Sequence, residues 1–507
     1  MPHNVHNADV LRWIDEYEGE LFHTALFDPP YHLTSITKRF SKDGAAPAQY
    51  GKDGAFARAS RGFMNSTWDG GRLMYESETW EKIASVLYDG AFGMAFASTR
   101  GYHRMAVACE DAGFIIHPMI CWTFSSGFCK ATRIDTQIDR AAGATRIPQL
   151  VPTKRGNLPE QAGTIALGAT GMTDISQPVT ALAKTWAGHR YGGQALVPSL
   201  EPILVFQKPY GGRTVDSIVQ TGAGALNIEA ARLGESGGGW GGNSSSGYAG
   251  GWKSPGIAQS SGRWPKNFIL SHSPDCAEGE CTEDCPVRHM DEQTGELSAG
   301  GSVGRVPVKE TPVNFRNGTV IRTGYEAQGD EGGGSRYFFN ADYVLERLED
   351  ADPFIYAAKA STAEREAGLH DLPLQKFGQS DVAPTALRRS EAEYLQEHIG
   401  LNVIKDRYNV HPCVKPLALV QHLASLLLPP AEYAPRRLFT PFCGTGSEMI
   451  GAMLAGWEHV DGIEMEAEYV ELAEKRLAFW QQHKANIAGK KPRAKIKKVD
   501  DKQRALF

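Results

Sequence analysis

The stretch Leu26-Phe27-Asp28-Pro29-Pro30-Tyr31 decides how the fold of this 507-residue chain is interpreted. It closes a short apolar segment, 24–27, that predicts a β-strand, because proline fixes φ and has no N–H with which to continue a ladder. In an open α/β sheet, ligands bind at the carboxyl ends of the strands. We expect Asp28 and the Pro29 carbonyl to accept the two N–H hydrogens of an exocyclic amine on a flat heteroaromatic base, while Tyr31 stacks on the ring. An ordinary acidic turn is the alternative.

The composition limits the class of protein. A chain of 507 residues predicts two or three domains, and a net charge of −6 means that nucleic-acid binding would need local positive charge. The sequence has no signal segment and no apolar run near 18 residues, so we expect a soluble cytoplasmic protein with no membrane partner. Eight cysteines, scattered apart from one cluster, favour reduced thiols over a disulfide framework.

Strand and helix patterns alternate around the Asp28 loop, which predicts a doubly wound α/β sheet. Helical periodicity and short apolar runs carry this prediction. The predicted helices are 8–17, 77–87 and 101–112, and the predicted strands are 91–97, 113–122 and 203–206. Two polar loops, 34–69 and 125–128, follow strand ends. The first carries several Lys and Arg residues and is either a solvated loop or a segment that closes over a phosphodiester backbone.

The middle of the chain, 233–400, is predicted to be an inserted domain with few regular elements. Half of the residues in 234–251 are glycine, which does not suit a packed core. A strand is predicted at 353–358. The mixed cationic and aromatic segments Gly262–Pro265 and Arg336–Phe339 either contact nucleic acid or are ordinary surface.

A cluster of cysteines and histidines lies within this insert. Cys276, Cys281 and Cys285, with either His272 or His289, would complete a tetrahedral Zn²⁺ site, although the spacing is not that of a standard zinc finger. A structural zinc would add binding energy to the folding of a glycine-rich segment. A set of reduced surface cysteines is the alternative.

The second strong signal lies near the end of the sequence. His411-Pro412-Cys413-Val414-Lys415-Pro416 precedes a predicted helix, 417–427, and a predicted strand, 437–440, enters the glycine turn 441–447. Strand, glycine turn and helix together are typical of a nucleotide-cofactor site, where glycine lets the backbone approach the ligand. Glu464 follows Gly444 by 20 positions, where a second strand would place a carboxylate on ribose hydroxyls.

Taken together, these motifs resemble the S-adenosylmethionine-dependent amino-group DNA methyltransferases. The order of motifs is that of the permuted β group, common in bacterial and phage enzymes: the Asp-Pro-Pro-Tyr motif, an insert, the His-Pro-x-x-Lys-Pro helix and the Phe-x-Gly-x-Gly loop. The resemblance covers roughly residues 5–232 and 401–481. It implies a circularly permuted, Rossmann-like methyltransferase sheet with an inserted irregular target-recognition domain.

The resemblance also assigns roles to residues. Asp28, Pro29, Pro30 and Tyr31 match the catalytic motif that holds the target amine. The matches to cofactor-binding positions are Phe442, Gly444 and Gly446 in the loop, Glu464 on the ribose, Lys415 and Pro416 by the methionine moiety, and Asp9 at the adenine. Two positions depart from the family pattern, since Thr440 stands where Asp is usual and Ala8 where Gly is usual.

The predicted function is therefore methyl transfer from S-adenosylmethionine to double-stranded DNA. In the family, Asp at the first motif position goes mostly with adenine N6, which favours adenine over cytosine N4. RNA or protein-amide methylation is a rival enzymatic function, and a nucleic-acid-binding protein with an inactive methyltransferase core is a rival from another class. The predicted division is 1–232 and 401–482 for the catalytic domain, 233–400 for the insert and 483–507 for a disordered basic tail. A homodimer and a partner restriction enzyme stay open.

Overall fold

The structure is a computed structural model, and it describes residues 3–31, 72–124, 130–147, 149–152, 172–233, 264–272, 276, 281–283, 285–298, 313–315, 318–320, 331–340, 362–369, 371–372, 375–377, 405–407, 409, 411 and 413–488. The loops predicted at 34–69 and 125–128, the glycine-rich 234–251 and the strand predicted at 353–358 lie outside these residues. So do the first two residues of the Gly262–Pro265 segment and the chain beyond 488.

A nine-stranded sheet forms the framework of the molecule. Its strands are β1 (His3–Asn7), β2 (Thr24–Phe27), β3 (Phe92–Phe96), β4 (Ile115–Thr123), β5 (Leu200–Gln207), β6 (Phe268–Leu270), β7 (Phe339–Asn340), β8 (Arg437–Pro441) and β9 (His459–Glu464). They lie in the order β1-β9-β8-β2-β3-β5-β4-β6-β7. Strand β5 runs antiparallel to both of its neighbours, and every other pair in the sheet is parallel.

Helices cover both faces of this sheet. The helices described are α1 (Val10–Asp15), α2 (Ser77–Ser85), α3 (Tyr102–Asp111), α4 (Ile134–Ala141), α5 (Ala181–Thr185), α6 (Thr214–Thr221), α7 (Pro286–Thr294), α8 (Thr362–Glu366), α9 (Leu417–Leu427), α10 (Ser447–Ala455) and α11 (Ala467–Ala488). Successive side chains of a strand point to opposite faces, so Ala25 and Phe27 of β2 pack with α1–α3, whereas Leu26 packs with α9 and α10. The predicted doubly wound α/β fold is confirmed.

Most predicted elements of the sheet and its helices are present, with bounds shifted by at most three residues. Helix α11 continues to Ala488, so the prediction of a disordered tail over 483–507 is wrong for 483–488. Among the described residues, no helix is long and apolar enough to cross a membrane.

The segment predicted as a separate insert contributes directly to the sheet. Strand β6 pairs with β4, and β7 pairs with β6, so both extend the edge of the main sheet. Within the described ranges, five two-stranded ladders lie outside the main sheet: Lys130–Arg133 with Arg190–Gln194, Leu150–Pro152 with Met172–Asp174, Leu297–Ser298 with Glu331–Gly332, Val313–Phe315 with Gly318–Val320, and Gln375–Phe377 with Lys405–Arg407. Two strands from the predicted insert are therefore continuous with the main sheet.

Candidate active site

The two halves of the sequence meet at adjacent strands. Strand β2 pairs in parallel with β8, with Thr24 opposite Leu438 and Ala25 opposite Phe439. The carboxyl ends of parallel neighbours lie at the same edge of a sheet. The loop that begins at Asp28 and the glycine turn that follows β8 therefore lie side by side, as the sequence predicts for one ligand crevice.

Asp28 is a buried carboxylate with one oxygen in use. Its side chain is 9% exposed, and Oδ2 accepts a hydrogen bond of 2.7 Å from Lys415 Nζ. Oδ1 is buried and has no hydrogen-bond partner among the described residues. The Tyr75 hydroxyl donates to the Tyr31 carbonyl at 2.6 Å and fixes the end of the loop. Asp28 thus presents an unused acceptor at the carboxyl end of β2.

Lys415 joins three groups from different parts of the chain. Besides Asp28, its Nζ lies 3.1 Å from Tyr31 Oη and 3.5 Å from Glu201 Oε1. Tyr31 in turn donates its hydroxyl hydrogen to Glu201 Oε1 at 2.5 Å. The ammonium also lies 4.7 Å from the centre of the Phe96 ring, a cation–π distance. The family resemblance places Lys415 by the cofactor, and in the structure its ammonium contacts Asp28 and Tyr31 of the Asp28 loop.

The protonation states of this cluster follow from burial and charge. Burial raises the pKa of Asp28, and Glu201 raises it further, while the Lys415 ammonium opposes both. Burial alone would lower the pKa of Lys415, but the Asp28 and Glu201 carboxylates outweigh it, and the net shift is upward. Burial, followed by the same two carboxylates, raises the pKa of Tyr31 well above its usual range. At neutral pH, Lys415 is therefore a cation and Tyr31 a neutral hydroxyl.

The glycine turn after β8 has a left-handed backbone at three positions. Phe442, Gly444 and Gly446 have φ values of 65°, 51° and 78°. Gly444 also packs closely on His411, whose Nε2 would lie 3.1 Å from an added Cβ. A non-glycine residue at positive φ is strained, and such strain collects at ligand sites. Glycine at 444 and 446 relieves this strain at two of the three positions.

Glu464 lies at the carboxyl end of β9, where the sequence predicts it. Its Oε2 accepts from the Gly444 N–H at 2.9 Å, and its Oε1 accepts from the Glu466 N–H at 2.9 Å. Burial raises the pKa of this carboxyl group. Because each carboxylate oxygen has a second lone pair, Glu464 can hold the glycine turn and still accept from a ligand.

Arg476 of α11 contacts the glycine turn, although no sequence motif marks it. Its guanidinium is fully buried and donates to the Thr445 carbonyl, to Thr445 Oγ1 at 3.1 Å and to Ser447 Oγ at 3.2 Å. It also donates to the Glu364 carbonyl at 3.2 Å. Burial lowers its pKa to about 10, so the group stays charged at neutral pH. Arg476 therefore holds the glycine turn in place through hydrogen bonds from helix α11.

Two predicted cofactor residues have helix-capping positions. Asp9 is exposed and caps α1, because its Oδ1 accepts from the Leu11 and Arg12 N–H groups, each at 3.1 Å. Pro416 is buried immediately before α9, and its carbonyl accepts from the Val420 N–H at 3.1 Å. The Ala8 N–H bonds to the Glu464 carbonyl at 3.1 Å, so Asp9 starts beside the β9 end of the crevice.

Glu448, in the first turn of α10, is a second residue that the sequence motifs did not identify. It is 3% exposed, and its Oε1 has no hydrogen-bond partner within the described part of the chain. Burial and then the charge of Asp28 raise its pKa to about 8. Asp28 and Glu448 thus each offer a buried, unused oxygen next to a turn built for close approach. These two acceptor oxygens fit a ligand that brings N–H hydrogens or positive charge.

The cysteine cluster also comes together. The potential ligand atoms of His272, Cys276, Cys281 and Cys285 all lie within 4.8 Å of one another. His289, the second histidine near these cysteines in the sequence, is exposed, and its Nδ1 lies 3.9 Å from Glu292 Oε2 instead. A site with His289 as the fourth ligand is therefore wrong for this arrangement.

Comparisons with known proteins give a distant relative. No family model matches the chain. The type II methyltransferase M.HindIII of Haemophilus influenzae (strain ATCC 51907 / DSM 11121 / KW20 / Rd) is 24% identical over 237 residues, 44% of this chain and 64% of that protein. The chain thus spans less than two thirds of the length of this curated relative.

Solved structures give only weak matches. The M1.HpyAVI–SAM complex is 11% identical with a TM-score of 0.31, covering 94% of this chain and 99% of that one. The PvuII DNA methyltransferase (cytosine-N4-specific) is 9% identical with a TM-score of 0.33, covering 96% and 93%.

Proposed function

We propose that this protein is an S-adenosylmethionine-dependent DNA methyltransferase that acts on an exocyclic amine, with adenine N6 as its target. The observation that carries the proposal is the buried, unused Asp28 Oδ1 at the carboxyl end of β2, beside the glycine turn of the neighbouring strand. The similarity to M.HindIII, a type II methyltransferase by name, supports the same class.

The cofactor half of the site contains groups that suit S-adenosylmethionine. Gly444 and Gly446 would let the backbone approach the ligand, and Glu464 would accept from ribose hydroxyls with its remaining lone pairs. The buried carboxyl group of Glu448 would face positive charge. When bound, S-adenosylmethionine supplies a sulfonium methyl group that is open to attack by a nucleophile.

Asp28 and Pro29 would prepare the amine. An aromatic amine is a weak nucleophile because its lone pair is delocalised into the ring. If Asp28 Oδ1 and the Pro29 carbonyl each accept one N–H, the nitrogen can pyramidalise and expose that lone pair. The raised pKa of Asp28 also suits it to accept a proton at Oδ1. Positioning of this kind can supply about 7–11 kcal/mol of the barrier, and no covalent enzyme intermediate is needed.

The target base would have to leave the duplex. A base inside a double helix is out of reach of a buried carboxylate, and flipping it costs on the order of a few kcal/mol. Tyr31 is held by Glu201 and Lys415 at the rim of the Asp28 loop. Its ring would contact the flipped base.

The order of the two halves supports a permuted arrangement. The proposed catalytic loop lies 414 positions before the glycine turn, from Asp28 to Phe442, yet the two follow adjacent parallel strands. We propose 1–232 and 401–482 as the two parts of one catalytic domain, and 233–400 as the segment that recognises DNA.

The experiment that tests the function is methyl transfer from labelled S-adenosylmethionine to unmethylated genomic DNA, read by mass spectrometry of the digested nucleosides. We expect N6-methyladenine from the wild type and no methylated nucleoside from Asp28→Ala. Formation of N4-methylcytosine would reverse the choice of base while keeping the class. If no nucleoside is methylated although the cofactor binds, the DNA methyltransferase proposal is wrong, and RNA is the next substrate to assay. An Asp28→Ala protein with wild-type turnover would refute the role of Asp28.

A further inference from the structure

We propose that His272, Cys276, Cys281 and Cys285 bind one Zn²⁺ ion in a closed, structural site. His272 Nδ1 lies 3.1 Å from Cys281 Sγ and 3.5 Å from Cys285 Sγ. All four potential ligand atoms lie within 4.8 Å of one another. Four soft or borderline donors from four separate positions converge on one point of the fold.

The chemistry of these donors selects zinc. Three thiolates and one imidazole form a common tetrahedral zinc set, with Zn–S near about 2.3 Å and Zn–N near about 2.0–2.1 Å. Such a tetrahedron places its ligand atoms roughly 3.6–3.8 Å apart, so the observed separations require only small shifts. Four protein ligands leave no open position for water or substrate, which distinguishes a structural from a catalytic site.

A disulfide does not account for the arrangement as well. Three cysteines can form only one bridge, which would leave a third thiol beside His272. No cysteine of the described residues is in a disulfide. Cys276 and Cys285 are 2% and 0% exposed, so both thiols are covered. A metal explains why these thiols are gathered and buried together.

Among the described residues, the local apolar cluster is small. It has four buried members there, Leu270, Cys276, Cys285 and Val287, and two of them are proposed zinc ligands. A core of this size supplies little stabilisation, and small structural units often depend on a metal for that reason. Zinc binding energy would then contribute directly to folding.

The proposed ion would hold the edge of the main sheet. His272 follows β6 by two residues, and Cys285 immediately precedes α7. In α7, Asp291 accepts hydrogen bonds of 2.7 Å from both the N–H and the hydroxyl of Ser335, in the turn before β7. The ion would therefore connect β6 to α7 and, through Asp291, to β7.

The first test compares two histidines that the sequence does not distinguish. The full-length protein is purified in reductant without added metal, and metal content is measured by mass spectrometry. We expect about one zinc per chain in the wild type and in His289→Ala, and less than a tenth of that in His272→Ala. We also expect the melting temperature of His272→Ala to fall by at least about 5 °C, because metal binding energy is folding energy. Zinc retained in His272→Ala, or a metal-free His272→Ala with wild-type melting, would overturn the proposal.

A second measurement uses the wild type alone, in case the variant does not fold. Titration of the native protein with a mercurial reagent should release the zinc as three thiols react. Substitution with Co²⁺ should give the intense visible bands of tetrahedral thiolate coordination. A wild-type protein without bound metal, or Co²⁺ spectra typical of octahedral oxygen ligands, would refute the site. None of these measurements depends on methyltransferase activity.

Discussion

Lys415 Nζ donates to Asp28 Oδ2 over 2.7 Å, although 387 positions of sequence separate the two residues. Both side chains are buried, with exposures of 5% for Lys415 and 9% for Asp28. The carboxylate that we propose to receive the target amine is thus already held by a cation from the other half of the catalytic domain. One of its oxygens is fixed by that contact, and the other keeps its lone pairs for the amine.

Replacing Lys415 by Met should change the pH profile of the reaction. The ammonium lowers the pKa of Asp28, so its removal raises that pKa and the active carboxylate forms only at higher pH. We expect the acid limb of kcat/KM to move upward by at least about one pH unit. Lys415→Arg keeps a cation and should move the limb less.

The control is Lys208→Met, which removes a lysine paired with Asp89 at 3.0 Å, outside the Asp28 loop. Its profile should match the wild type. An unshifted acid limb in a folded Lys415→Met protein would mean that Lys415 does not control the ionisation of Asp28.

Arg476 supports the glycine turn and is not expected to contact the cofactor itself. Replacing Arg476 by Met should nevertheless weaken cofactor binding. The substitution leaves the Thr445 carbonyl and Ser447 hydroxyl without their buried donor, at about 1–3 kcal/mol for each unsatisfied group. We expect the Kd for S-adenosylmethionine to rise at least about tenfold, measured by calorimetry. The adjacent Lys475→Met removes an exposed ion pair with Asp371 and should leave the Kd within about twofold.

The Arg476→Lys variant distinguishes the effect of the positive charge from the effect of the guanidinium hydrogen bonds. A lysine keeps the positive charge but cannot reach several acceptors with a planar fork, so we expect only partial recovery of affinity. Wild-type affinity in a folded Arg476→Met protein would contradict the positioning role.

The main sheet could be predicted because its central strands carry local signals. Segments such as 91–97 are apolar throughout, as strands covered on both faces are, and prolines or glycines mark their ends. Strand β1 carries no such signal, since His-Asn-Val-His-Asn is mostly polar. It is held at the edge by backbone pairing with β9 and by Asn4 Nδ2, which donates to Asp461 Oδ1 at 3.0 Å. Contacts of that kind depend on a partner more than 450 positions away.

The candidate site was predictable only where its residues sit in motifs. The Asp28 loop and the glycine turn have short sequence signatures with a physical cause. Glu201 and Arg476 have none, because a carboxylate at the start of a strand and a cation on a helix are both ordinary surface patterns. Folding alone brings Glu201 to Tyr31 and Arg476 to Thr445. The choice of His272 over His289 as the proposed fourth zinc ligand likewise depends on the distances between ligand atoms in the structure.

Stability should fall in mild acid, in part through His422. This side chain of α9 is 7% exposed, and burial lowers its pKa from 6.5 to about 4. Between about pH 6.5 and pH 4, His422 is therefore protonated in the unfolded chain but neutral in the folded chain. The free energy of unfolding falls as the pH falls through that window. At pH 5, His422 would account for about 2 kcal/mol of the loss.

His422→Leu should reduce the loss of unfolding free energy between pH 7.5 and pH 5 by about that amount, measured by urea titration at each pH. His103→Leu alters an exposed histidine of α3 and should leave the pH dependence unchanged. If His422→Leu loses as much stability in acid as the wild type does, His422 is not held neutral by burial.

Glu448 should make the binding of a charged cofactor depend on pH. Burial, followed by the charge of Asp28, raises its pKa to about 8, so the group is mostly protonated at pH 7 before a ligand binds. A sulfonium next to it would favour the carboxylate, and binding would then release a proton. Affinity for S-adenosylmethionine should accordingly rise as the pH rises towards 8.

S-adenosylhomocysteine shares the amino and carboxyl groups but lacks the sulfonium charge, so the ratio of the two affinities isolates this effect. We expect the ratio to increase at least about threefold between pH 6.5 and pH 8 in the wild type, and to stay constant in Glu448→Gln, which cannot ionise. A ratio that does not change with pH in the wild type would place the sulfonium away from Glu448, even if the protein methylates DNA.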